Sequence, residues 1–149
     1  MRDRSRKTKI KIINQQQSTN NQILKTLISI IGSTGIGKTK LAIEIAKHFD
    51  TEIISCDSRQ FFKEMKIGTA MPTPEELAAV KHHFVGNLSV TDYYSIGQYE
   101  TDALQKIEEI FLEKDTIVLV GGSMMYEKAV AEGLNDLPTA NAENQQKLE

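Results

Sequence analysis

The spacing of apolar positions changes several times along this chain, and each change marks an element. The run Leu27-Ile28-Ser29-Ile30-Ile31 is nearly continuous, rich in β-branched residues and closed by Gly32. It predicts a buried parallel strand over residues 24–31. From Lys38 the period lengthens: Leu41, Ile45 and Phe49 recur every four residues with Ala42 and Ala46 beside them, the stripe of an amphipathic helix. Residues 51–55 predict a second strand, ending at Cys56-Asp57. Pro72 and Pro74 punctuate a loop, and residues 75–81 predict a short helix with Pro74 near its start. Residues 83–90 predict a short strand or an extended connection. Tyr99, Ala103, Ile107, Ile110 and Phe111 mark a helix within residues 95–113. Residues 116–120 predict a third strand, closed by Gly121-Gly122, and residues 124–132 a last helix. Strands alternating with helices predict an α/β fold with a parallel sheet.

The ends of the chain lack this patterning. Residues 1–12 carry Arg2, Arg4, Arg6, Lys7, Lys9 and Lys11 against Asp3 alone, a net +5, and a Gln/Asn-rich stretch follows. Such a segment buries too little apolar surface to offset its ordering entropy. Residues 1–22 are therefore expected to be disordered, as a solvated tail or an RNA-touching arm. Residues 23–138 are expected to form the core and residues 139–149 a polar tail. The whole chain, 149 residues with 40% hydrophobic and 26% charged positions, suits one globular domain. A net charge of −2 exerts no global pull on nucleic acid, so RNA contact must be local. One cysteine, Cys56, excludes an internal disulfide framework and a multi-cysteine zinc site. No apolar run approaches the roughly 18 residues of a membrane span, and no apolar stretch follows the basic start as in a signal peptide. A cytoplasmic monomer is expected.

The strongest chemical signal is Gly32-Ser33-Thr34-Gly35-Ile36-Gly37-Lys38-Thr39, which satisfies G-x-x-x-x-G-K-[ST] between a predicted strand and a predicted helix. Glycines let the backbone curl so that successive N–H groups face phosphate oxygens, and the positive end of the helix adds to that field. Lys38 brings a full charge, and Thr39 offers a hydroxyl to Mg²⁺ held by the phosphates. The pattern specifies phosphate or diphosphate, not which ligand.

Other signals are weaker. Asp57 is the only acid at a predicted strand end, where α/β folds place ligands. It could bind Mg²⁺, accept a proton from an acceptor, or merely cap a helix over residues 58–63. Gly121-Gly122 permits close backbone approach, and Ser123 is either a ligand hydroxyl or a helix cap. Adjacent His82 and His83 point to opposite sides of a strand and make a poor metal site. Cys56 beside Asp57 reads as a small buried hydrophobe.

Several separated stretches together resemble the tRNA dimethylallyltransferases. They are the loop Gly32 to Thr39, Glu52-Ile53-Ile54-Ser55-Cys56-Asp57-Ser58-Arg59-Gln60, Ile67-Gly68-Thr69-Ala70, His82-His83-Phe84, Tyr94-Ser95 with Asp102-Ala103, and Val120-Gly121-Gly122-Ser123. The resemblance runs through residues 27–138 and concerns the N-terminal part of the family's longer chains. It implies a P-loop NTPase-like parallel sheet flanked by helices, incomplete relative to the family. It also implies dimethylallyl diphosphate in the loop, Mg²⁺ as cofactor, and the adenosine at tRNA position 37 as acceptor. Asp57 stands where the family has its general base. Asp57, Ser58, Arg59, Gln60 and Ser123 stand in segments that touch tRNA, with Ser123 in place of the usual Thr. Met71, Met124-Met125 and Ser33 depart from the family's usual residues.

Two rival readings share the loop. One is a kinase of the nucleoside-monophosphate type, which the absence of any Arg after Arg59 opposes. The other is an inactive phosphate-binding module.

Overall fold

The computed structural model describes residues 9–15, 24–33, 37–63, 71–89, 91–122 and 124–136. In chain order these form β1 (Lys9–Gln15), β2 (Lys25–Ile31), α1 (Lys38–His48), β3 (Ile53–Ser55), a 3-10 helix (Ser58–Phe61), α2 (Pro74–Ala79), β4 (His82–His83), α3 (Ile96–Phe111), β5 (Thr116–Gly121) and α4 (Met124–Asp136). One five-stranded sheet runs in the order β1-β2-β5-β3-β4. Its four later strands are parallel and β1 is antiparallel.

The continuous apolar runs have a simple cause: both faces of each central strand are covered. Leu27, Ile31, Ile54, Ile117 and Leu119 face a core shared with Tyr99, Ala103, Ile107 and Val130 of α3 and α4. Ile28, Ile30, Ile53, Val118 and Val120 face Ala42, Ile43 and Ala46 of α1. α3 follows its sequence pattern closely, with Tyr99, Ala103, Ile107, Ile110 and Phe111 all buried. Its start is fixed by a capping box between Ser95 and Gln98.

α1 is turned from the expected stripe. Ala42, Ile43 and Ala46 are buried, Leu41 and Ile45 are half-buried, and Phe49 is 47% exposed beyond the helix end. Small alanines let the helix lie close to the sheet, which draws their face inward. Of the short strand or extended connection expected over residues 83–90, the strand is His82–His83, and the chain beyond it bends at Phe84 and Gly86, which adopt positive φ (63° and 62°). Leu88 then returns to bridge Phe62.

Residues 9–15 correct the expectation that residues 1–22 are disordered. They pair with β2 along its whole length, from Lys9 opposite Ile31 to Gln15 opposite Lys25. A buried strand with one edge open would leave main-chain N–H and C=O groups unpaired, and β1 satisfies them. Ile13 adds an apolar anchor, 8% exposed opposite Leu27. Ile10 and Ile12 remain 54% and 61% exposed. The rest of the expected tails, residues 1–8, 16–22 and 139–149, lie outside the described residues. Among the described residues no helix is long and apolar enough to cross a membrane.

Candidate active site

Three strand ends meet at one edge of the sheet. Gly32 N donates to Gly121 O at 3.4 Å and Cys56 N donates to Val120 O at 2.8 Å, so β5 ties the ends of β2 and β3 together. Gly121 leaves no space for a side chain: a β-carbon there would lie 2.6 Å from Cys56 Sγ and 2.7 Å from the Cys56 carbonyl carbon. Gly122 stands in more open ground. A β-carbon on it would be 3.6 Å from the Gly32 carbonyl oxygen and 3.7 Å from Asp57 Oδ2. The loop-bearing strand, the double glycine and the acid therefore share one crevice outside the carboxyl ends of parallel strands, where α/β folds bind ligands.

α1 forms one wall. Gly37 starts it in a left-handed conformation (φ 88°, ψ 18°) with no side-chain cap. Gly37 offers the leading N–H groups of α1 no side-chain acceptor, and with the positive helix end they suit an anion. Gly37, Lys38 and Thr39 line a cleft of about 180 Å³ together with Asp57. Lys38 Nζ donates to the Ser33 carbonyl at 2.6 Å. Burial lowers the Lys38 pKa by stripping water from the ammonium, and the nearby Asp57 charge opposes that shift.

Asp57 faces this wall. Its Oδ1 accepts the Arg59 N–H at 3.1 Å, capping the 3-10 helix. The cap reading and the cleft reading of Asp57 thus coexist, since its Oδ1 caps the 3-10 helix while the residue lines the cleft. The segment rests on a fixed platform. Ser55 Oγ donates to Gln60 Oε1 at 3.1 Å and accepts from Asp57 N at 3.3 Å, while Tyr99 Oη donates to the Ser55 carbonyl at 2.8 Å. Phe61 stacks on Tyr99, with Tyr126 edge-on to both. Of the four consecutive residues from Asp57, Arg59 is exposed and Gln60 is turned inward to line the cleft.

Thr34, Gly35, Ile36 and Ser123 lie outside the described residues. Gly32 and Ser33 close β2 as expected. Sequence reasoning missed several cleft-lining residues: Lys40, Ser55 and Val120 beside the expected segments, and Glu76, Pro72 and His82 away from them. Period-two alternation at His82-His83 could have found the last of these, since it sends the rings to opposite sides. His82 Nδ1 lies 2.7 Å from the Val80 carbonyl, and its buried Nε2 has no partner among the described residues. His83 Nε2 lies 3.2 Å from Glu52 Oε1. Burial lowers both histidine pKa values, so both rings are neutral near pH 7. Among the described residues no group of three His, Cys, Asp or Glu could hold a metal. Cys56 is fully buried, and burial, then the charges of Glu127 and Asp57, push its thiol pKa upward. That makes it an inert core residue.

The IPP transferase family model matches residues 60–149. A tRNA dimethylallyltransferase 1 of Phocaeicola vulgatus is 54% identical over 121 residues, 81% of this chain and 40% of that protein. A tRNA dimethylallyltransferase of Christiangramia forsetii is 56% identical over 122 residues, 82% of this chain and 40% of that protein. Spans of that length necessarily take in Gly32 to Thr39 and Asp57, which precede the family-model match. Among solved structures, the full-length tRNA isopentenylpyrophosphate transferase of Bacillus halodurans superposes with a TM-score of 0.68 at 34% identity, over 82% of this chain and 41% of that one. A eukaryotic dimethylallyltransferase, captured acting on tRNA, gives 0.64 at 30% identity over 69% and 25%. The chain spans about 40% of the length of the curated relatives it matches. Its sheet, flanking helices and P-loop-like architecture are theirs, and the chain belongs to the IPP transferase family.

Proposed function

We propose that this domain binds the diphosphate of dimethylallyl diphosphate at the head of α1 and presents it to the exocyclic amine of an adenosine in tRNA, the one at position 37. The observation that carries this reading is the opposition of Lys38 and Asp57 across one small cleft, a leaving-group holder facing a proton acceptor. The names of the relatives supply the chemistry.

In the reaction the amine nitrogen forms a bond to the allylic carbon while the carbon–oxygen bond to diphosphate breaks, and the amine loses one proton. Charge develops on the diphosphate, where the α1 N–H groups and the Lys38 ammonium would stabilise it. The adenine amine is a weak nucleophile, its lone pair delocalised into the ring. Asp57, with Oδ2 toward Gly122, would orient the amine and take the proton. Gly122 leaves the acceptor room to approach, and Ser123 would add a hydroxyl beside it. Ser58, Arg59 and Gln60 would contact the RNA around the acceptor.

Mg²⁺ fits this donor set. Thr39 lines the cleft, and Mg²⁺ characteristically takes few protein oxygens and several substrate phosphate oxygens. When bound, it would neutralise charge on the departing diphosphate. The proposed setting is the cytoplasm, with the protein monomeric. A kinase reading is not favoured, since its Arg-lined phosphate site has no counterpart after Arg59 and the relatives are named as transferases. Calorimetric titration tests the choice: dimethylallyl diphosphate with Mg²⁺ should bind, and ATP should bind more weakly. Preference for ATP would reverse the assignment.

A further inference from the structure

β1 runs against the other strands, and its direction decides where its charge goes. Lys9 pairs with Ile31, the last residue of β2, and Lys11 pairs with Ser29. The strand therefore begins at the sheet edge that carries Gly32, Gly122 and Asp57. A parallel strand would have begun at the opposite edge. Ile13 lies in the core on the α3 and α4 side, so Lys11 and Lys9, two and four residues before it, share that face. Both lysines are exposed.

The charge distribution is lopsided. Six of the 18 basic residues but one of the 20 acidic ones lie in the first twelve positions, so the other 137 residues carry a net −7 within a total of −2. The body of the domain therefore repels a polyanion. Lys25, Lys81, Lys106, Lys114 and Lys128 are each paired with a carboxylate. Among the described residues Lys9 and Lys11 have no acidic partner, as is also true of Lys40 and Lys47 on α1; what sets Lys9 and Lys11 apart is their place on the edge strand beside Ile31 and Ser29.

We propose that Lys9 and Lys11, at the same end of the sheet as the cleft but on its α3 and α4 face, bind the phosphodiester backbone of the RNA acceptor. This rests on the tRNA reading above. An unpaired cationic strand edge on an otherwise acidic domain, starting beside the loop, supplies the local attraction that such an acceptor needs. The competing explanation is that edge lysines merely prevent strand-to-strand aggregation.

The two are separated by fluorescence anisotropy with a labelled, unmodified anticodon stem–loop RNA across a KCl series. Compared with the unaltered chain, Lys9→Gln/Lys11→Gln should bind the RNA about five- to tenfold more weakly near 0.1 M salt. Its plot of log affinity against log salt should be shallower by about 2, one for each lost phosphate contact. Lys9→Arg/Lys11→Arg should bind like the unaltered chain. Affinity for dimethylallyl diphosphate should be the same in all three. Unchanged RNA affinity and slope with intact diphosphate binding would overturn this inference and leave the transferase reading standing. Weaker binding with an unchanged slope would assign the lysines to edge protection, and lysine-dependent binding to phosphatidylserine vesicles but not to RNA would assign them to a membrane. Failure of the unaltered chain to bind either RNA or dimethylallyl diphosphate would remove the transferase reading as well.

Discussion

The Asp57 carboxylate accepts the Arg59 amide at 3.1 Å through Oδ1, which leaves Oδ2 facing Gly122. This division makes Asp57→Asn informative. Asn caps a helix about as well as Asp, so unfolding midpoints should be unchanged. With the chain extended by the C-terminal portion of the Phocaeicola vulgatus relative, turnover should fall by about 10²–10⁴-fold, the range for a positioned acid–base group. Diphosphate affinity should stay level. A loss of diphosphate affinity in step with turnover would make Asp57 a metal ligand instead, and full turnover would reduce it to a cap.

Lys38→Ala should abolish measurable binding of dimethylallyl diphosphate while far-UV circular dichroism is retained. Lys38 Nζ donates to the Ser33 carbonyl, and Lys38 belongs to neither hydrophobic cluster among the described residues. Undiminished affinity by calorimetry would place the diphosphate elsewhere.

The double glycine separates packing from access. Gly121→Ala drives a methyl group into Cys56 and should cost about 2–3 kcal/mol in chemical unfolding, the scale of an overpacked core. Gly122→Ala meets nothing closer than 3.6 Å and should leave stability within about 1 kcal/mol. By narrowing the gap before Asp57 it should still weaken acceptor use. Equal stability losses in the two variants would refute the distinction.

Acid should weaken the fold in two stages. His82 and His83 have pKa values lowered by burial, so below about pH 6.5 the unfolded chain takes up protons that the folded one refuses, and stability falls. Glu52 has a lowered pKa too: burial pushes it up, but bonds from His83 and Lys81 prevail. Its contribution is present above its unfolded value and disappears as pH falls through the folded one, a second stage below about pH 4.5. Urea midpoints at pH 7.5 and 5.5 should differ for the unaltered chain and differ less for His82→Asn. An identical shift in both would show that His82 takes no part in the first stage.

The layered core was legible in the sequence because apolar period is a direct record of which faces are covered. Tyr99, Ala103 and Ile107 could be assigned to one buried stripe without knowing what covers it. The loop shows itself in the sequence by spacing alone, Gly, Lys and Thr recurring as phosphate geometry requires, and its residues 34–36 lie outside the described residues. β1 was not legible: main-chain pairing holds it, and among its residues 9–14 only Ile13 is buried. Pro72 and Glu76 line the cleft through tertiary placement, which leaves no periodic trace, whereas His82 was visible only through its alternation with His83. The pair Ser29 and Glu127, joined at 3.2 Å inside the core, was hidden for a related reason. Each sits at an otherwise apolar face position, and only tertiary contact shows that they satisfy one another.

The bond from Gly32 to Gly121 joins residues 89 positions apart, and β5 lies between β2 and β3 although it follows both in the chain. The loop-bearing strand therefore has no neighbour on that side until residues 116–121 have left the ribosome. Contacts of such long sequence separation form slowly, because loop closure must precede them. During synthesis the phosphate loop should thus be among the last parts of this domain to become protected from protease. A nascent chain halted before Thr116 would display the whole G-x-x-x-x-G-K-T sequence without a competent site.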